Sequence, residues 1–204
     1  MITIIDYKAG NFRSIENMLK RLGVKSHFTD KVADIKAADK LILPGVGHFD
    51  HGMTKLNESG LVDVLNEKVL HQNTPILGIC LGAQLMTEFS EEGKIKGLAW
   101  IKGETLKFQK SKLPSSYKIP HMGWTDVSAK SDNILSQDLQ NEARFYFVHS
   151  YYMDIADKKQ VLFSAEYGHN FDAGFAHKNI YGVQFHPEKS HQFGMTLLKN
   201  FNDL

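Results

Sequence analysis

The residues best suited to covalent chemistry surround the only cysteine of the chain. Gly78-Ile79-Cys80-Leu81-Gly82 has the pattern Gly-x-Cys-x-Gly, the thiol counterpart of a nucleophile turn between a strand and a helix. A sharp turn strains the backbone of the nucleophile, and its neighbours two residues away must be small. A helix starting at the sulfur favours the thiolate, and the Leu81 N–H would point to a developing oxyanion. The pattern predicts that Cys80 is a nucleophile rather than a buried structural cysteine.

A thiol nucleophile needs a base, and the base needs a group that orients it. His186 ends an apolar run near the C-terminus, and Glu188 follows two residues later. If the chain stays extended through Pro187, both side chains lie on the same side of the backbone. The carboxylate would then accept the imidazole Nδ1–H and leave Nε2 for the sulfur. The alternative is a polar strand end with a surface salt bridge.

The other histidines give weaker signals, because ten are available. His48, His51 and His71 lie in polar or helix-end contexts and are expected on the surface. His121 and His149 have apolar neighbours, and His149 could shape the site without being the base. No histidine pair shows the i, i+4 spacing together with an acid that would indicate zinc, and only one thiol is present, so no metal site is predicted.

Two further segments could bind a substrate. Pro44-Gly45-Val46-Gly47 follows an apolar run, and its glycines allow positive φ and close backbone approach, so that Gly47 or a neighbour could supply a second oxyanion donor. The phosphate-loop patterns are absent, which leaves an ordinary turn as the alternative. Gln84 lies one helical turn beyond Cys80 and offers donors and an acceptor to an amino-acid head group.

The elements around these residues predict an α/β fold. Short apolar runs alternate with amphipathic helices in the first half, which is typical of βαβ units and a parallel sheet. Strands are predicted at 2–5, 24–28, 40–43 and 75–79, and helices at 12–22, 61–69 and 81–89. The second half has β-like runs at 144–148, 161–165 and 180–185, a polar surface loop at 107–116 and a final helix at 193–201. We therefore expect three layers, with a mixed, mostly parallel sheet flanked by helices and a β-rich insertion, all in one domain spanning 1–204.

The composition excludes several classes of protein. The chain has 204 residues, a formal net charge of +1, 42% hydrophobic and 23% charged residues, so it is not a disordered chain and has no general attraction for nucleic acid or anionic lipid. One cysteine excludes an internal disulfide framework. No apolar run approaches the length of a membrane span or a signal sequence. A soluble cytoplasmic protein is the resulting expectation.

The combined motifs resemble a known enzyme family. The segments 78–84 and 184–188 are similar to the class I (triad) glutamine amidotransferases, whose fold is flavodoxin-like. More specific segments resemble the glutaminase subunits of imidazole glycerol phosphate synthases, and the likeness runs from residue 3 to about residue 200. Those segments are Asp6-Tyr-Lys-Ala-Gly-Asn11, Pro44-Gly-Val-Gly-His-Phe49, Pro120-His-Met-Gly-Trp124, Tyr146-Phe-Val-His-Ser-Tyr-Tyr152 and His186-Pro-Glu-Lys-Ser190.

The resemblance implies a reaction and a partner. Cys80 would attack the glutamine carboxamide, His186 would move protons and Glu188 would orient His186, without any cofactor. Ammonia would pass to a (β/α)8-barrel cyclase that makes imidazole glycerol phosphate and aminoimidazole carboxamide ribotide in histidine biosynthesis. The remaining implied roles are Gly47 and Leu81 in the oxyanion hole, Gln84, Ser150 and Tyr151 in glutamine binding, and Asn11, Trp124, Tyr146 and Lys189 at the partner interface.

Other functions are compatible with the same residues. The segment 190–195 carries a histidine and an aromatic residue after the triad, and there the chain resembles paralogues that supply ammonia for amination of a surface sugar. A non-catalytic binding relative of the fold would have no need of a strained thiol turn. A γ-glutamyl peptidase would keep the same triad, and a glutaminase of pyridoxal-phosphate synthase fits the glycine loop poorly.

Overall fold

The computed structural model describes residues 1–139 and 143–204. In these ranges twelve strands form one mixed sheet. The strands are β1 (Ile2–Ile5), β2 (Ser26–Thr29), β3 (Lys40–Gly45), β4 (Ile76–Cys80), β5 (Phe89–Ser90), β6 (Gly103–Lys107), β7 (His121–Ala129), β8 (Arg144–His149), β9 (Tyr151–Ile155), β10 (Val161–Glu166), β11 (Asn170–His177) and β12 (Ile180–Val183).

The helices cover the two faces of this sheet. They are α1 (Phe12–Arg21), α2 (Val32–Lys36), α3 (Phe49–Glu58), α4 (Val62–Asn66), α5 (Leu81–Gln84) and α6 (His191–Asp203). One π-helical turn, Glu67–His71, continues α4. Two clusters of buried apolar side chains lie on opposite faces of the sheet, so the predicted three-layer α/β architecture is confirmed.

The strand order explains where a site can form. The main path runs β2-β1-β3-β4-β12-β11-β10-β7-β8. The strands β3, β4 and β12 are adjacent and parallel, so their carboxyl ends share one edge of the sheet, where α/β folds commonly bind ligands. Beyond β12 the pairing is antiparallel, which is the predicted β-rich second half.

Most predicted elements are confirmed with boundaries that differ by one to three residues, but the helix after Cys80 was predicted too long. It ends at Gln84, because the Thr87 hydroxyl bonds to the Gln84 carbonyl and the chain turns into β5. Phe89 therefore belongs to a strand and is half exposed. The polar loop 107–116 is also not wholly at the surface, since Phe108 is buried among aromatic rings.

Candidate active site

Cys80 lies on a strained turn at the carboxyl end of β4. Its φ and ψ are 53° and −114°, a conformation that L-residues rarely adopt. A Cβ at Gly78 would lie 2.7 Å from the Ala83 Cα, and a Cβ at Gly82 would overlap the carbonyl oxygen of Leu43. The two glycines therefore allow the turn to pack against β3 and α5, as the Gly-x-Cys-x-Gly spacing predicts.

The helix that follows the sulfur contributes less than predicted. With four residues, α5 forms a single turn, and the dipole of so few aligned peptides is small. A thiolate at Cys80 would therefore depend on other groups around the sulfur.

His186 follows the neighbouring strand β12 and is held by hydrogen bonds. Its N–H donates to the Tyr146 carbonyl at 2.9 Å, and its carbonyl accepts from the Ser190 hydroxyl at 2.6 Å. Its Nδ1 lies 2.7 Å from Glu188 Oε1, and the side chains of the pair are 2% and 3% exposed. The predicted His-Glu pair is therefore present and buried.

The backbone route to this pair differs from the prediction. The chain does not stay extended through Pro187, because Pro187–Lys189 form a 3₁₀ turn with the proline at its start. Proline suits that position since its φ is fixed and its missing N–H would have no partner there. The turn brings the carboxylate back to the ring.

The imidazole of His186 also interacts with the sulfur. Burial favours the neutral ring, but interaction with Cys80 and then with Glu188 outweighs burial and raises the pKa of His186 to about 10. Nε2 is buried without a hydrogen-bond partner of its own in the described ranges. It is therefore the ring nitrogen that remains for the sulfur.

Cys80 and His186 line one cavity of about 220 Å³. Although Cys80 is only 7% exposed, it borders this space rather than lying within close packing. The remaining lining residues are Val46, Gly47, Leu81, Gln84, Glu92, Val148, His149, Ser150 and Tyr151. The cavity thus brings together the predicted nucleophile, base, oxyanion and glutamine-binding residues, and Glu188 bonds to the base from outside the lining.

The glycine loop borders the cavity but its backbone is engaged elsewhere. Gly47 has φ +104°, which favours glycine. The N–H of the preceding Val46 donates to the Ala9 carbonyl at 3.2 Å. That amide is therefore directed away from the cavity in this structure.

Gln84 is more constrained than the sequence suggests. Its Nε2 donates to the Tyr151 carbonyl at 3.0 Å and to Gln184 Oε1 at 2.9 Å, which uses both amide hydrogens. Only the side-chain oxygen of Gln84, Oε1, remains for a ligand. The Tyr151 carbonyl also accepts from His149 Nδ1 at 2.7 Å, so its two lone pairs are occupied.

Sequence reasoning assigned no role to two of the polar residues at the site. Gln184 is completely buried, and its Nε2 lies 3.7 Å from Cys80 Sγ. Its alternation with His186 along one strand end was an available signal. Glu92 accepts the Phe49 N–H at 2.8 Å and lines the cavity, but nothing in the pattern of residues 88–97 indicated it.

Three of the four predicted interface residues form a patch beside His186. Trp124 is 43% exposed and contacts Tyr146, with ring centroids 6.2 Å apart. The Lys189 ammonium lies over the Tyr146 ring, 5.4 Å from its centroid. Asn11 is also exposed, at the start of α1, where its Oδ1 accepts from the Ser14 hydroxyl.

Membrane-spanning helices and metal clusters are both absent from the described ranges. No helix there combines the length and apolar character needed to cross a membrane. Within residues 1–139 and 143–204, no three His, Cys, Asp or Glu side chains are grouped to hold a metal ion.

Comparison with known proteins identifies the class of enzyme to which this fold and cavity belong. The family described as glutamine amidotransferase class-I matches residues 3–203, and the chain belongs to this family. It is 54% identical to imidazole glycerol phosphate synthase subunit HisH 2 of Methanococcus maripaludis, over 98% of both chains. It is 49% identical to the subunit of the same name from Pseudomonas aeruginosa, over the full length of both.

A solved structure shows the same fold at lower identity. One chain in the structure of PurLQS from Thermotoga maritima has a TM-score of 0.73 and 18% identity, covering 99% of this chain and 97% of that one.

Proposed function

We propose that this chain is the glutaminase subunit of an imidazole glycerol phosphate synthase, hydrolysing L-glutamine to glutamate and ammonia. The observation that carries the proposal is the joint placement of Cys80 and His186 in one cavity, with Glu188 bonded to the far nitrogen of the ring. Family membership and the names of the relatives support the same activity. The family match over 3–203 supports a single domain.

In the first half of the reaction the Cys80 sulfur is acylated by glutamine. His186 holds the proton of the Cys80 thiol, and the thiolate attacks the carboxamide carbon of glutamine. The C–N bond of the tetrahedral intermediate breaks, and His186 donates the thiol proton to the departing nitrogen. The products are ammonia and a γ-glutamyl thioester. The Glu188 carboxylate fixes the ring so that Nε2 faces the sulfur.

In the second half water replaces ammonia. His186 takes a proton from water, which attacks the thioester carbon and forms the acid of glutamate. The C–S bond breaks and the sulfur leaves as thiolate, while His186 keeps the proton taken from water, which restores the starting pair. The sum is glutamine plus water giving glutamate plus ammonia.

The cavity walls suit the amino-acid end of glutamine. The Glu92 carboxylate can bind the substrate ammonium. The side-chain oxygen of Gln84, Oε1, can accept from another N–H of the substrate. Ser150 and Tyr151 border the cavity, but the Tyr151 carbonyl is already saturated. We therefore assign glutamine contacts in this segment to groups other than that carbonyl.

The oxyanion requires two donors. Leu81 opens α5 beside the sulfur, which supports its N–H as one of them. The second belongs to the loop at Gly47, which must turn before the Val46 amide, now bonded to Ala9, can serve the cavity. A loop that turns only when a partner docks would limit wasteful hydrolysis.

The partner that fits is a (β/α)8-barrel cyclase, docking over the patch of Trp124, Tyr146 and Lys189. The family resemblance adds Asn11, which is exposed at the start of α1. Free ammonia is protonated at neutral pH and lost to water, so direct transfer needs a docked acceptor enzyme. This patch presents an exposed aromatic side chain, Trp124, and aromatic residues are enriched at interfaces.

A second acceptor is supported by one observation. The His191 ring stacks on Trp124, with centroids 5.3 Å apart and planes 1° apart, so the sequence departure at 190–195 lies on the proposed docking patch. A different partner, one that aminates a surface sugar, would use the same glutaminase chemistry. Complementation of a strain that lacks the histidine-pathway glutaminase distinguishes the two: growth without histidine supports the first acceptor, and its absence despite expression supports the second.

The glutaminase assignment is tested with Cys80→Ala. We expect ammonia release from glutamine to fall to background, at least about 10³-fold, because the attacking atom is removed. The control is thermal unfolding, which establishes that the variant is folded. Ammonia release by folded Cys80→Ala at more than a trace would contradict a cysteinyl thioester.

A further inference from the structure

The completely buried carboxamide of Gln184 belongs to no step of the reaction above. It lies on the segment between β12 and His186, and it forms two contacts: Oε1 accepts from Gln84 Nε2 at 2.9 Å, and Nε2 lies 3.7 Å from Cys80 Sγ. A buried polar group with two specific partners, one of them the reacting atom, calls for a chemical explanation.

The orientation of this carboxamide follows from its neighbours. The Tyr151 carbonyl can only accept, so the Gln84 side chain must turn its NH₂ group toward it. The second hydrogen of that NH₂ group points to Gln184, which must therefore present its oxygen. The remaining NH₂ group of Gln184 is left facing the sulfur. No other assignment of the two amides satisfies every contact.

The Tyr151 carbonyl is itself held in place from its other side. His149 Nδ1 donates to it, so the neutral His149 accepts at Nε2 from His121 Nδ1 at 3.0 Å. His121 Nε2 then accepts from the Thr125 hydroxyl at 2.8 Å. Burial lowers the pKa of His121 to about 4, and burial followed by the charge of His121 lowers the pKa of His149 to about 3. Both rings are neutral near pH 7, which keeps the direction of each bond fixed.

We propose that Gln184 is a further catalytic residue, whose carboxamide N–H donates a hydrogen bond to the Cys80 sulfur and stabilises its thiolate. A donor to a charged sulfur gains more than a donor to a neutral thiol. The same bond stabilises the sulfur when it leaves the thioester in the second half of the reaction. This role supplies part of the stabilisation that the single-turn helix α5 cannot provide.

The proposal rests on Cys80 being the nucleophile of the proposed glutaminase, but its test needs no glutamine. The rate of Cys80 alkylation by iodoacetamide is measured against pH in the full chain, with Cys80→Ala as the blank. In Gln184→Met, which has similar length and no donor, we expect the low-pH limb of the profile to move up by roughly half to one pH unit. Gln184→Glu places a negative charge beside the sulfur and should move it further.

The matched control is Gln72→Met. Gln72 is an exposed glutamine whose amide bonds to Glu67 on the surface, so its profile should coincide with that of the unsubstituted chain. A folded Gln184→Met with an unshifted limb overturns the proposal. If the limb shifts but the unsubstituted chain with its partner releases no ammonia from glutamine, the donor stands and the proposed function fails.

A second measurement avoids the risk that Gln184→Met does not fold. In the unsubstituted chain, the side-chain NH₂ resonances of labelled glutamine are followed by NMR before and after Cys80 alkylation. We expect the Gln184 pair to move most and its hydrogens to exchange faster with solvent. Glutamine NH₂ resonances that are all unchanged by alkylation would overturn the proposal.

Discussion

The proposed nucleophile and the proposed base of this site are fixed by different physical means. Cys80 is positioned by steric fit: its backbone is in a positive-φ conformation, and Gly78 and Gly82 allow α5 to contact β3 and β4 without space for a Cβ. His186 has an ordinary φ of −102° and is positioned by hydrogen bonds to Tyr146, Glu188 and Ser190.

The difference predicts how substitutions affect the steric end of the site, at Cys80, and the polar end, at His186. Steric positioning depends on the absence of atoms, so added atoms at Gly78 or Gly82 should damage folding. Polar positioning depends on the type of atom at each place, so exchange of one oxygen for nitrogen should damage chemistry while the fold survives. Variants that separate these two outcomes therefore test the comparison.

Among variants that keep the Cys80 sulfur, the largest effect on chemistry is expected from Glu188→Gln. The amide can turn its NH₂ group to His186 Nδ1, which then must accept, and the neutral ring carries its proton on Nε2. A ring protonated there cannot take the thiol proton. We expect kcat for glutamine hydrolysis to fall about 10²–10⁴-fold, with a cooperative thermal transition retained.

The same variant has a pH signature. A raised pKa of His186 means that the stabilisation is fully present below about 6.5, the value in the unfolded chain, and is lost as pH rises toward 10. Part of the increase comes from Glu188, so Glu188→Gln should show a shallower loss of unfolding free energy between pH 7 and pH 10. The unfolding free energy is measured with urea at each pH. If it falls equally with pH in both chains, the carboxylate does not set the charge of the ring.

The sequence predicted the sterically positioned end more completely than the polar end. Glycines two residues before and after Cys80 can be recognised in a chain because the requirement for small residues is local. The parallel strands β3 and β4 were also predictable, because each is a continuous apolar run. The second neighbour of β4 is β12, from the far end of the chain. This pairing depends on tertiary structure and was not predictable from local pattern.

The polar end required contacts between distant segments. Gln84, Tyr151 and Gln184 meet through bonds that span 67 and 100 positions, and no periodicity encodes them. The role predicted for Gln84 was therefore incomplete, since its donors are used within the protein. Glu92 was missed for the same reason, and α5 was predicted too long because apolar spacing does not register the bond from Thr87 that ends it.

The steric end is tested next by Gly82→Ala. The added Cβ would overlap the Leu43 carbonyl oxygen, a backbone atom that cannot rotate away, so we expect at least about 3 kcal/mol of lost unfolding free energy in urea. Gly23→Ala is the control, because a Cβ there meets no atom within 4 Å and only the φ of +72° is unfavourable, which costs about 1 kcal/mol. Similar losses for both would mean that the Cys80 turn is not closely packed.

The smallest effect concerns the backbone strain at Cys80 itself. Replacing alanine by glycine normally lowers stability by about 0.5–1 kcal/mol because the unfolded chain gains freedom. At φ 53° and ψ −114° glycine is instead relieved of steric strain that costs other residues about 1–3 kcal/mol. We therefore expect Cys80→Gly to be more stable than Cys80→Ala by about 1 kcal/mol in urea unfolding.

The control for the exchange of alanine and glycine at position 80 is a residue with an ordinary backbone conformation. Ala33 is exposed within α2, and Ala33→Gly should lose about 1 kcal/mol in the usual direction. Opposite signs at the two positions would locate the strain at residue 80, because both exchanges remove the same methyl group. If glycine is the less stable residue at position 80 as well, the turn is not strained, and the placement of the sulfur must come from the hydrogen bonds around it.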